Sequence, residues 1–156
     1  MSKKLVAFFS ASGVTAEKAK QLAAAANADL YEIRPFKPYT PADIKWTNPL
    51  ARCNREWLKK EKPALTDTDA GAEGYDVIFL AFPIWYYTAP LIIKSFLESY
   101  DLGGKTVVLF ATSGGSDMKN VIKTLQPSAP DTAFVQVLML NGEIGDDTLA
   151  AFAGRF

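Results

Sequence analysis

The chain contains no histidine, one cysteine, and no apolar run long enough to span a bilayer. Without histidine it lacks the commonest general base and the commonest transition-metal ligand. A zinc or haem site would have to be built from Cys53 and carboxylates, a donor set such sites do not favour. A lone cysteine excludes an intrachain disulfide, so nothing requires an oxidising compartment. An excess of charge is missing as well, with 17 Lys and Arg set against 17 Asp and Glu. No basic surplus points to nucleic acid as a partner. No acidic surplus points to the one-signed surface with which small electron shuttles steer toward partners. The apolar stretch Leu5 to Phe9 follows Lys3-Lys4, is too short for a signal-peptide core, and precedes no convincing cleavage site. The expectation is a cytoplasmic protein with no membrane partner.

What is present reads as an α/β protein. The length of 156 residues suits a single domain over 1–156 with a sizeable core. Short β-rich apolar runs alternate with helix-period stretches, which implies a mostly parallel sheet. The strands are expected at Leu5 to Phe9, Leu30 to Ile33, Val77 to Phe82, Thr106 to Ala111 and Val135 to Leu140. Val77 to Phe82 is apolar throughout, as a strand covered on both faces should be. Helical spacing recurs at Ala19, Leu22, Ala23 and Ala26, and at Leu91, Ile92, Phe96 and Tyr100. It returns at Met118, Val121, Ile122 and Leu125, and briefly at Leu149, Phe152 and Ala153. Five prolines punctuate 35 to 63, which predicts a long irregular crossover with a short helix near Leu50 to Lys60. Right-handed crossovers then give a three-layer fold around a five-stranded parallel sheet of order 2-1-3-4-5. Ligands of such sheets bind outside the carboxyl ends of the strands, where the order reverses.

Three loops are expected at that edge. The first is Ser10-Ala11-Ser12-Gly13-Val14-Thr15, with hydroxyl donors, a permissive glycine and a helix start, and without lysine or arginine. It suits a phosphomonoester held by neutral donors and the helix dipole, and it suits a plain capped strand-to-helix turn equally. The second is Pro83-Ile84-Trp85-Tyr86-Tyr87-Thr88-Ala89-Pro90. Its three consecutive aromatics can stack on a flat ring, cap the core, or form a subunit interface. The third is Thr112-Ser113-Gly114-Gly115-Ser116, whose backbone can approach a heterocycle's edge, or merely turn into a helix. The three together offer what a phosphate, a ring face and a ring edge need.

These segments resemble a known family. Phe9 to Thr15 resembles the phosphate loop of flavodoxins, usually Thr/Ser-x-Thr/Ser-Gly-x-Thr. Pro83-Ile84-Trp85-Tyr86 looks like the Pro-Ile-Trp-Trp flavin loop of a bacterial flavodoxin-like flavoprotein branch. Arg34-Pro35, Pro38-Tyr39-Thr40, Asp43, Trp46 and Arg52 to Glu56 resemble that branch's connection after strand two, and Asp101 to Lys105 continue the likeness. The resemblance implies FMN as cofactor, its phosphate on Ser10, Ser12, Gly13, Val14 and Thr15. It implies an isoalloxazine lying against Pro83, Ile84, Trp85 and Tyr86 and meeting Thr112, Ser113, Gly114 and Gly115. Tyr86 and Tyr87 depart from the branch's tryptophan and glycine and make the loop bulkier. Other families of this topology fit worse. The first loop lacks a receiver domain's carboxylates, a P-loop's Gly-Lys-Ser/Thr, and a tyrosine phosphatase's cysteine.

Two functions follow from the resemblance. One is an NAD(P)H-dependent FMN oxidoreductase acting on a quinone or other small acceptor. The other is a non-enzymatic, flavodoxin-type electron-transfer protein. The cofactor carries the redox step in both, so no catalytic side chain is assigned. The crossover at 35–63 is expected to roof a pocket in the enzyme case. There Trp46, Arg52 and Arg55 would meet an aromatic or anionic substrate; otherwise they pair with Glu56 or solvent and only cover the sheet.

Overall fold

The structure, a computed structural model, describes residues 3–10, 13–45, 47–67, 70–83, 89–112, 121–139 and 145–156. Five parallel strands form one sheet: β1 (Lys4–Phe8), β2 (Asp29–Glu32), β3 (Val77–Pro83), β4 (Thr106–Thr112) and β5 (Ala133–Met139). Their order is β2-β1-β3-β4-β5, the order expected from right-handed crossovers. Among the described residues five helices accompany them: α1 (Val14–Ala26), α2 (Arg52–Lys59), α3 (Leu91–Glu98), α4 (Val121–Leu125) and α5 (Asp146–Ala153). Single 3-10 turns at Ala72–Gly74 and Gln126–Ser128 were not foreseen.

The two-residue period of the strands divides the core. Leu5, Ile78, Leu80, Val107 and Leu109 face α3, whose Ile92, Ile93 and Phe96 are fully enclosed. Their neighbours Val6, Phe79, Val108 and Phe110 face the other way, onto Leu22 of α1 and Leu149 of α5. This double coverage is why Val77 to Phe82 shows no polar alternation. Phe9 lies one residue beyond β1, yet it is buried and its N–H donates to the Ala81 carbonyl at 3.0 Å. α2 is shorter than expected, because Ala51 is extended and Lys60 turns left-handed at φ 51°. Among the described residues no helix is long and apolar enough to cross a membrane.

The crossover from β2 to β3 is closed on itself. Phe36 N–H donates to the Ala64 carbonyl at 2.8 Å, and Thr66 N–H to the Arg34 carbonyl at 2.8 Å. Pro35 and Leu65 thereby form an antiparallel bridge that brings both ends of the excursion together. Its return limb is tied to α3. Ser95 Oγ donates to the Pro63 carbonyl at 2.7 Å, and Lys62 pairs with Glu98 at 2.6 Å. The crossover is therefore fixed on the α3 face, beside the carboxyl end of β1.

Candidate functional site

The first loop leaves β1 through Phe9 and enters α1 at Gly13. Gly13 has φ 93° and ψ −16°, a left-handed conformation that an L side chain adopts only with strain. A Cβ at that position would meet no atom of the described residues within 4 Å. Backbone angle therefore demands glycine there. Ser10 Oγ accepts the Gly13 N–H at 3.0 Å, which closes the turn. The first backbone bond of α1 runs from Glu17 N–H to the Gly13 carbonyl at 3.2 Å. The amides of Val14, Thr15 and Ala16 precede that bond and have no intrahelical acceptor. Gly13, standing at the cap, has no side chain to receive them. Amides at the positive end of a 13-residue helix suit an anion.

Thr15 and Thr112 join this loop to the third. Both side chains are buried, and their Oγ1 atoms lie 2.6 Å apart across a sequence separation of 97 residues. One hydroxyl donates and the other accepts. Thr112 ends β4 and is registered with Pro83, which ends β3 and is half-buried. Ser10, Gly13, Val14, Thr15, Pro83 and Thr112 thus stand on one sheet edge, at the ends of β1, β3 and β4. Ser12, Ile84, Trp85, Tyr86, Ser113, Gly114 and Gly115 lie outside the described residues, as do Trp46 and Tyr87.

A cleft of about 430 Å³ opens beside Ser10. Ile33, Pro35, Phe36 and Tyr39 of the crossover form much of its wall. Tyr39 packs its ring edge-on to Phe9, with centroids 5.7 Å apart. Burial first, then the hydrogen bond to Glu56, pushes the Tyr39 phenol far above its ordinary range. Burial and then the Asp67 carboxylate do the same to Tyr31, and Tyr75 and Tyr100 are also raised.

The structure separates two arginines that the sequence could only pair. Arg52 is an internal brace: its Nε bonds Glu56 Oε2 at 3.0 Å and its guanidinium lies 4.0 Å from the Tyr39 ring centroid. Its Nη1 donates to the Lys37 carbonyl at 2.6 Å and the Pro38 carbonyl at 3.2 Å. Tyr39 closes the group by donating its hydroxyl to Glu56. Arg55 is exposed and makes no ion pair among the described residues. The pairing with Glu56 thus holds for Arg52 and not for Arg55. Neither Tyr39 nor the brace was foreseen as a unit; the nearest signal was the i,i+4 spacing of Arg52 and Glu56.

A family model described as flavodoxin matches residues 3–155. The chain belongs to the flavodoxin family. Its solved relatives include a protein of Bacteroides eggerthii, described provisionally as a flavoprotein, at 41% identity and TM-score 0.91 over 99% of this chain and 98% of that one. A Bacteroides uniformis protein described in the same way is 42% identical, with TM-score 0.90 and 98% of each chain covered. A flavoprotein of Lactobacillus acidophilus, solved in complex with FMN, shares the fold at TM-score 0.72 and 18% identity, covering 99% of each chain. No curated protein sequence matches the chain.

Proposed function

We propose that this chain is an FMN-binding redox protein that works as an NAD(P)H-dependent FMN oxidoreductase on a quinone or other small acceptor, with 1–156 acting as one domain. The observation that carries the reading is the buried Thr15–Thr112 contact, which makes one site of the phosphate loop and the end of β4. The donors present fit the cofactor. Ser10 orders the turn, Gly13 supplies its left-handed backbone, and the amides of Val14 and Thr15 would receive a dianion without a lysine. Ser12 completes the phosphate set, Pro83 to Tyr86 supply the ring face, and Thr112 to Gly115 supply the ring edge.

Bound FMN supplies two-electron acceptance from a nicotinamide and onward delivery to an acceptor. The protein positions it, and the cleft between Ser10 and Tyr39 gives a small substrate an approach that a bare shuttle does not need. The fold itself hosts both enzymes and carriers, so the site has to decide between them. The deciding experiment mixes the FMN-loaded protein with NADH or NADPH without oxygen, follows flavin absorbance, and then adds a quinone. Direct bleaching and reoxidation by the quinone support the enzyme. Bleaching that requires a separate reductase protein assigns the chain to electron transfer.

A further inference from the structure

A second cleft, of about 440 Å³, lies between α2 and the two limbs of the crossover. Its charge contrasts with the balanced chain. Five of its lining residues are Lys or Arg and two are Glu. The face of α2 bearing Arg52, Arg55, Glu56 and Lys59 forms its floor, at i, i+3, i+4 and i+7. A helix inside a crossover ordinarily turns an apolar stripe inward; α2 turns this charged one toward an open cavity.

Pairing within the cleft leaves a cationic remainder. Arg52 is matched by Glu56, and Lys62 by Glu98 of α3. Lys37, Arg55 and Lys59 form no ion pair among the described residues, and Glu61 is the only lining carboxylate to set against them. The site is also built in advance. The Arg52 brace bolts the Lys37–Pro38 limb to α2, and the Phe36–Ala64 bond joins that limb to the other wall. A preformed cavity binds without a large ordering cost. Phe36 lines both this cleft and the one beside Ser10, and the residue is 75% exposed. An aromatic face next to Lys37, Arg55 and Lys59 suits a base attached to phosphate.

We infer that this cleft binds the phosphate-bearing end of a nucleotide, with Lys37, Arg55 and Lys59 on the phosphate and Phe36 under the base. The nucleotide class rests on the proposed oxidoreductase reading; the anion site rests on the cleft alone. A concave site of this size favours a small anion over an acidic protein surface.

The test is calorimetric titration of the FMN-loaded protein with adenosine 2′,5′-bisphosphate and, separately, with inorganic pyrophosphate. Both should bind, more weakly as salt rises. Arg55→Glu with Lys59→Glu should weaken both at least about tenfold, the loss expected of one charge-assisted hydrogen bond or more. Phe36→Ser should weaken the bisphosphate and spare pyrophosphate. Flavin content, read by absorbance, confirms that each variant is folded and loaded. Absence of binding, or equal binding by wild type and the charge-reversed variant, overturns the site. So does a competing preference of this cleft for polyglutamate over both phosphates. Binding that behaves as expected while neither NADH nor NADPH bleaches the flavin would sink the oxidoreductase reading and leave the anion site standing.

Discussion

The Thr15–Thr112 contact can be measured with a double-mutant cycle. Valine keeps threonine's shape and removes the hydroxyl. In Thr15→Val the Thr112 hydroxyl remains, in a residue only 4% exposed, with its described partner gone. Leaving a buried polar group unsatisfied costs about 1–3 kcal/mol, so each single variant should lose about 1.5 kcal/mol. For a chain of this size that lowers the melting temperature by about 3–6 °C. Thr15→Val/Thr112→Val removes both groups together and should cost only about 1 kcal/mol, the net worth of one neutral hydrogen bond. The coupling is then about 2 kcal/mol, well above the roughly 0.3–0.5 kcal/mol scatter of independent sites. Urea denaturation of flavin-free protein reads these values. FMN affinity, read by fluorescence quenching, should not recover with stability in the double variant, because both hydroxyls at the junction are gone. Additive stability losses would refute the buried contact. FMN affinity that returns with stability would refute its part in binding.

Other parts of the structure give independent checks. Gly13→Ala meets no steric neighbour among the described residues but must hold φ 93°, so it should cost about 1–2 kcal/mol through backbone strain and should weaken FMN binding. Ser10→Ala removes the acceptor for the Gly13 amide and should weaken FMN by roughly tenfold or less while scarcely affecting riboflavin, which has no phosphate; equal losses in a binding titration would contradict a phosphate loop. Glu56→Gln leaves Arg52 unmatched and should cost about 1.5–3 kcal/mol in chemical denaturation, with flavin affinity preserved. The hydrogen bond from Lys62 holds the Glu98 carboxyl below its ordinary range. Its folded value lies below its unfolded one, so the stabilisation is complete above the unfolded value and is lost as acid carries pH down through the folded one; an acid titration of Lys62→Ala should show a smaller loss.

Local physics made much of the fold legible. Apolar residues with a period near 3.6 placed α1 and α3, and an unbroken apolar run marked β3 as covered on both faces. Alternating strands and helices, with the handedness of crossovers, were enough for the sheet order. Gly13 was legible as a turn residue because its backbone is at issue. The boundaries slipped where distant contacts act. Phe9 reads as the last residue of a strand, but its partner Ala81 and the burial around it come from β3.

The sequence alone determined which segments become helix and strand, because propensity and periodicity operate within a few turns of chain. It also determined that any ligand at this edge must be held without histidine and, in the first loop, without a basic side chain. The tertiary structure decided what individual side chains do. Thr15 and Thr112 became one buried pair only because β1 and β4 both flank β3. Arg52 and Arg55 are the same residue type, three positions apart on one helix, yet one is a brace and the other is exposed, with no ion pair among the described residues. The difference comes from the ring of Tyr39 and the carbonyls of Lys37 and Pro38, which the returning chain sets against Arg52 and not against Arg55. Hydrogen bonds and ring contacts act over a few ångströms of space, so the partner that assigns a role can lie anywhere along the chain.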